Sequence, residues 1–194
     1  MNIKKKSKLF CVILFVFSAC FVLYNLQKPN IKSFDEMSVY DKIQKQMNNY
    51  HLENFLVVNE KRDTLRIKDL VINNKLILRF SELHCDACVI KEFENLKSAI
   101  DNKIFKLDDI IILTYYQNPR YLNLFKRLNK LHEFEVYNLI ENKIGNFKLD
   151  EMSIPFFFIL DQNLMVKKTF IPLRTNDSRT NKYLKKIAPD LRMS

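Results

Sequence analysis

The chain reads as an α/β protein, a mixed central sheet flanked by helices, with an N-terminal extension and an apolar leading segment. Three observations predict this class. Two short runs rich in Leu and Ile, "KLILRF" (75–80) and "DDIIILTYY" (108–116), suit central strands covered on both faces. From Cys88 the period changes to a helical one, with Val89, Ile90, Phe93, Leu96 and Ile100 marking one face. The order β-β-β-α-β-α-β-β-β-α places strands between helices early and a hairpin with a closing helix late, which implies a mixed sheet between helical layers.

The first segment, "LFCVILFVFSACFVLYNL" (9–26), has the length of the shortest membrane-spanning helices, about 17 residues. Lys4, Lys5, Lys6 and Lys8 precede it, and Lys28 and Lys32 follow. That bias keeps the amino terminus in the cytoplasm and sends the remainder across. Three readings fit: a signal anchor, a lipoprotein-type signal, and simple cleavage after a small residue. The anchor is favoured because apolar residues continue through Phe21, Val22 and Leu23. "FSAC" resembles a bacterial lipobox, with Phe17 in place of leucine and Cys20 as the lipidation point. All three put residues 30–194 outside the cytoplasm, on the periplasmic side. The expected divisions are 1–27 as signal anchor or lipoprotein-type signal, 28–50 as linker and amphipathic helix, and 51–194 as the folded domain.

Beyond the linker "KPNIKS", Ser33 and Glu36 form a capping box that predicts a helix over 34–48. Phe55–Val58 and Thr64–Ile67 read as strands around the polar turn 59–63. The helix after the second buried strand has Asn118 as its cap and Pro119 in its first turn, with Leu122, Phe125, Leu128 and Leu131 as its apolar face. "FEVYNL" (134–139) is the least marked strand. "IPFFFIL" (154–160) and "LMVKKTFI" (164–171) form a hairpin around "DQN", and a last helix covers 178–187.

Composition narrows the function classes. Of 194 residues, 47% are hydrophobic and 28% charged, as in globular proteins. The single glycine, Gly145, excludes the glycine-rich phosphate-binding turns of nucleotide folds. The net charge of +10 is not joined to a nucleic-acid-binding motif. Lys126, Arg127, Lys130, Lys182, Lys185 and Lys186 are expected on solvent faces, a basic surface lying near anionic lipid.

The chemistry is concentrated in "SELHCDACVIKEF" (81–93). Cys85 follows a strand and Cys88 falls in the first turn of a helix, so their sulfurs can reach bonding distance. Closing so short a loop removes little unfolded-state entropy, which makes the bond a poor staple and points to a chemical role. The partial positive charge at the helix amino terminus favours thiolate at Cys85. A thiolate attacks a disulfide, and a second cysteine resolves the product. Structural zinc would need further ligands, and His51, His84 and His132 are isolated, so no metal is called for. Haem attachment needs histidine where Val89 stands. Two inert buried thiols stay open.

The stretch "DTLRIKDLVINNKLILRFSELHCDACVIKEFENL" resembles the thioredoxin superfamily, in particular its membrane-tethered TlpA/ResA-like branch. "SIPFFFILDQNLMV" is similar to that family's cis-proline loop, hairpin strand and acidic turn. The match covers roughly residues 52–190. It implies a thioredoxin-like fold with Cys85 as nucleophile, Cys88 as resolving cysteine, a cis Ile154–Pro155 bond, and Ile154 and Pro155 as the substrate-docking loop. No cofactor is implied. The departures are Arg79 in place of an acid or amide buried beneath the cysteines, His84 in place of tryptophan, Ser81 in place of an aromatic, and no glycine after Asp161. A buried Arg79 must find a carboxylate, and Glu82 is near it in sequence.

Arg79, His84 and Asp86 are therefore the residues expected to tune the pair. Asp86 disfavours the thiolate, and a protonated His84 would favour it. Helix capping or solvation is an equal reading of Asp86. A strong oxidant needs a very stable thiolate, so a reducing couple is expected. The leading expectation is an exported, membrane-attached thiol–disulfide oxidoreductase acting on protein disulfides or thiols, supplied with electrons by a membrane partner. The alternative is a redox-inactive thioredoxin-like binding module with a structural or regulatory disulfide. A copper-handling relative, binding metal through Cys85, Cys88 and a distant histidine, is a third.

Overall fold

The computed structural model describes residues 31–173 and 177–192, with side chains from residue 38 and none for 177. The apolar segment 9–26, and with it the three readings of Cys20 and its neighbours, lies outside them. Among the described residues no helix is long and apolar enough to cross a membrane. The chain divides into two units, Met1–Tyr40 and Asp41–Ser194.

Helix α1 spans Ile31–Met47. Ser33, expected as its cap, falls within this range, and its side chain lies outside the described ones. From Asp41 onward α1 is bound into the domain. Thr169 Oγ1 donates to the Gln44 carbonyl at 2.6 Å, and the Ile171 N–H donates to Gln44 Oε1 at 2.7 Å.

Strands β1 (Leu56–Val58) and β2 (Thr64–Arg66) form the expected antiparallel hairpin. Ile67, expected at the end of β2, instead opens a single helical turn, α2 (Ile67–Leu70). Then follow β3 (Lys75–Ser81), α3 (Asp86–Asp101), β4 (Ile110–Tyr115), α4 (Pro119–Leu128), β5 (Val136–Leu139), β6 (Phe156–Leu160), β7 (Val166–Phe170) and α5 (Asp177–Arg192). The residues before β4, Leu107–Asp109, form a 3-10 turn, as do Lys148–Met152 before β6. The strands make one sheet in the order β2-β1-β5-β4-β3-β6-β7. β3, β4 and β5 are parallel; β1, β6 and β7 run antiparallel to their neighbours.

β3 lies near the middle of the sheet and is buried on both faces, as a strand apolar from Leu76 to Phe80 but for Arg79 leads one to expect. Leu76, Leu78 and Phe80 point into a core shared with Phe93 and Leu96 of α3, Phe125 of α4, and Leu184 and Ile187 of α5. The alternate residues, Ile77 and Arg79, are buried on the opposite face. Phe156 and Phe158 of β6 stack 6.0 Å apart, and Phe147 lies 5.8 and 5.5 Å from them.

Two expectations fail here. Lys126, expected on a solvent face, is buried; its Nζ donates to the Phe134 carbonyl at 3.1 Å and pairs with Glu60. A long flexible stem lets lysine cover apolar surface while its head finds oxygen. The final helix runs past 187 through Pro189, because Leu191 continues the buried stripe of Leu184 and Ile187.

Candidate functional site

β3 carries the chain to the C-terminal ends of the parallel strands, and the next residues turn directly into α3. The Glu82 N–H donates to the Tyr115 carbonyl at 3.0 Å, and the His84 N–H donates to the Ser81 carbonyl at 3.0 Å. Cys85 is the N-cap of α3, with extended backbone (φ −64°, ψ 116°). Its carbonyl accepts from the N–H groups of Cys88 at 2.9 Å and Val89 at 3.1 Å. Both cysteines are half-buried, and they lie close together. This places Cys85 where the unpaired N–H groups of a helix amino terminus favour negative charge. Cys88 stands one turn further on, within the same helix. Asp86 occupies the first helical position and is exposed, so it is a solvated first-turn carboxylate and not the cap.

His84 is buried, and burial together with the Arg79 charge pulls its imidazole down to about 4. It is therefore neutral near neutral pH. A counterweight to Asp86, which only a protonated His84 would supply, is absent because the interior disfavours the charged ring. Among the described residues His84 Nδ1 has no hydrogen-bond partner.

The carboxylate that Arg79 requires is Asp150, not Glu82. Arg79 Nε lies 2.9 Å from Asp150 Oδ1, with both side chains almost fully buried. Arg79 Nη2 donates to the Asn142 carbonyl at 2.8 Å, and Nη1 donates to the Phe80 carbonyl. The Ile144 N–H donates to Asp150 Oδ2 at 2.6 Å. Burial pushes Asp150 up and pulls Arg79 down, and each charge opposes the shift of the other. Glu82 instead accepts from the Gln117 N–H at 3.0 Å, joining the β3–α3 and β4–α4 turns.

Pro155 is buried, and Ile154 half-buried. β6 begins beside them, and its first residue, Phe156, pairs with Arg79. The antiparallel register therefore brings the 153–155 loop and the Cys85 turn out at the same end of adjacent strands. The Ile154–Pro155 bond is trans, in contrast to the cis bond implied by resemblance. The turn is made at Ser153, whose left-handed backbone (φ 48°, ψ 32°) redirects the chain after the 3-10 turn.

Two residues of this region were not anticipated. Asp150 sits in a segment with no periodicity, and the only hint was the need of Arg79 for a partner. Tyr116 is buried against Phe80 and Phe125. Burial and then the Asp86 and Glu82 carboxylates push its phenol well up, so it stays protonated beside the helix start.

No family model and no curated protein matches the chain. Solved structures do. The thioredoxin domain of a thiol-disulfide oxidoreductase from Bacteroides vulgatus superposes with a TM-score of 0.54 at 12% identity, covering 73% of this chain and 97% of that one. A SCO1/SenC family lipoprotein from Bacillus anthracis gives 0.52 at 16% identity, over 74% and 94% of the two chains. A thiol:disulfide interchange protein from a Bacteroides species gives 0.51 at 9% identity, over 73% and 90%. Likeness at these identities carries the fold, which is thioredoxin-like.

Proposed function

We propose that this thioredoxin-fold chain is a thiol–disulfide oxidoreductase, exported and attached to a membrane through its amino terminus, that reduces protein disulfides. The observation that carries the reading is the placement of Cys85 as N-cap of α3 at the end of a central strand, with Cys88 in the following turn. The Cys85 thiolate attacks one sulfur of a substrate disulfide. A Cys85–substrate bond forms, the substrate bond breaks, and the departing sulfur takes a proton. Cys88 then attacks Cys85, releasing the second substrate thiol and leaving an oxidised Cys85–Cys88 pair. Two electrons and two protons have passed to the substrate. A membrane donor must return them, because an extracytoplasmic compartment holds no reducing pool.

Three local features support the reducing direction. Neutral His84 adds no positive charge, Arg79 is offset by Asp150, and the Asp86 carboxylate disfavours a second negative charge at Cys85. A modestly stabilised thiolate belongs to a reducing couple. Ile154 and Pro155 serve as the docking loop for the substrate chain.

The test is reduction of insulin disulfides by the full chain in detergent, with Cys85→Ser as control, and a redox titration against glutathione or dithiothreitol. Activity lost in the Cys85 variant, with a midpoint well below that of strongly oxidising relatives, is the expected result. Turnover no higher than the control would favour the second reading, a binding module with a structural disulfide. That reading draws on Arg79, which stands where the family carries a buried acid or amide, and on His84 in place of tryptophan.

A further inference from the structure

The buried ion pair brackets the Ser153–Pro155 loop, with attachments on the chain before it and after it. Upstream, Arg79 binds Asp150 and the Asn142 carbonyl, while Asp150 holds the Ile144 N–H. One guanidinium and one carboxylate thus fasten both ends of the 142–150 excursion to the central strand. Downstream, Arg79 faces Phe156 across the β3–β6 ladder. Between these two attachments lie Ser153, Ile154 and Pro155. Arg79 also stands near the end of the strand that delivers Cys85. A buried ion pair is a poor source of net stability, because desolvation offsets much of its attraction. What it fixes is geometry: the planar guanidinium donates in set directions to the Phe80 and Asn142 carbonyls, and its charge holds Asp150 beside it.

We propose that Arg79 and Asp150 are positioning residues: together they lock the Ile154–Pro155 loop in place beside Cys85, so that an extended polypeptide substrate can dock. The proposal rests on the oxidoreductase reading. It assigns the pair to substrate docking and not to the reactivity of the thiols.

Two variants of the full chain in detergent test it. Asp150→Asn keeps the shape and removes the charge. The double variant Arg79→Met with Asp150→Leu fills the same space without charge, the type of replacement that often preserves stability. Amide exchange over 142–155 should speed up about tenfold in both, while α3 stays protected. The KM for insulin should rise about tenfold in both, while turnover of hydroxyethyl disulfide, which needs no docking loop, stays within about twofold in the double variant, where both charges are gone. Unchanged exchange over 142–155 overturns the bracing role. Equal losses on both substrates mark a merely structural pair, and a change confined to the small disulfide marks a charge effect on the thiols; either overturns the proposal. A wild-type chain inert on both disulfides would sink the oxidoreductase reading itself and the docking role with it.

Discussion

Arg79 and His84 show how much one side chain's surroundings decide. The sequence marks both as departures from the family pattern, and for Arg79 it even supplies the demand for a carboxylate. It does not identify the partner, because Asp150 is far away along the chain and only folding of the 140–153 segment brings it back. For His84 the sequence left the sign of its effect open, and burial settles it. In the fold its imidazole titrates at about 4, whereas in an unfolded chain it titrates at roughly 6.5. Between these values the unfolded chain takes a proton that the fold refuses. Stability is therefore intact above the upper value and falls as pH drops towards the lower one. With partial solvent screening the loss is ~2 kcal/mol. His84→Phe removes the titration and the orphaned Nδ1 together. Urea unfolding at neutral and mildly acid pH should show that much less acid sensitivity in the variant. Equal acid sensitivity in both proteins would mean that His84 takes up its proton in the fold as readily as in the unfolded chain.

Elements with a strong local pattern were legible; their ends were less so. α4 begins where the sequence put it, since Asn118 and Pro119 are local devices: Asn118 Oδ1 accepts from the Arg120 N–H at 3.0 Å. α5 runs past its expected end because a tertiary contact, the burial of Leu191, overrides the discouragement that Pro189 gives. Lys126 misleads for the same reason: a charged residue on a helix reads as solvated until a carbonyl and a carboxylate are brought to it. Asn118→Ala leaves the Arg120 N–H without its acceptor and should cost about 1 kcal/mol, readable as a lowered midpoint in urea. Asn118→Asp keeps an acceptor at the helix amino terminus and should restore the loss. If both variants unfold alike, the cap is not what holds the start of α4.

At the scale of the whole molecule, the direction of electron flow and the stability of the fold are one equilibrium. The order of elements, read from hydrophobic period, was enough to imply a mixed sheet, since β3 and β4 needed cover on both faces. Which strands neighbour one another was not legible, because the placement of β5 between β1 and β4 rests on long-range pairing. That sheet ends its central strand at the cysteines, so forming the Cys85–Cys88 bond must either strengthen or strain the fold. The cycle linking folding to oxidation closes. A pair that prefers the disulfide in the native state, relative to the unfolded chain, makes the oxidised protein the more stable one. A strong oxidant does the reverse, since its reduced form is the stabilised one. Each difference of about 30 mV in potential corresponds to about 1.4 kcal/mol. If the pair works as the proposed reductant, the oxidised protein unfolds at the higher urea concentration. Paired denaturation of the oxidised chain and of the chain kept in excess dithiothreitol measures this without any substrate. The opposite order would place the pair among oxidants and reverse the proposed flow of electrons, while leaving the fold and the site geometry as they stand.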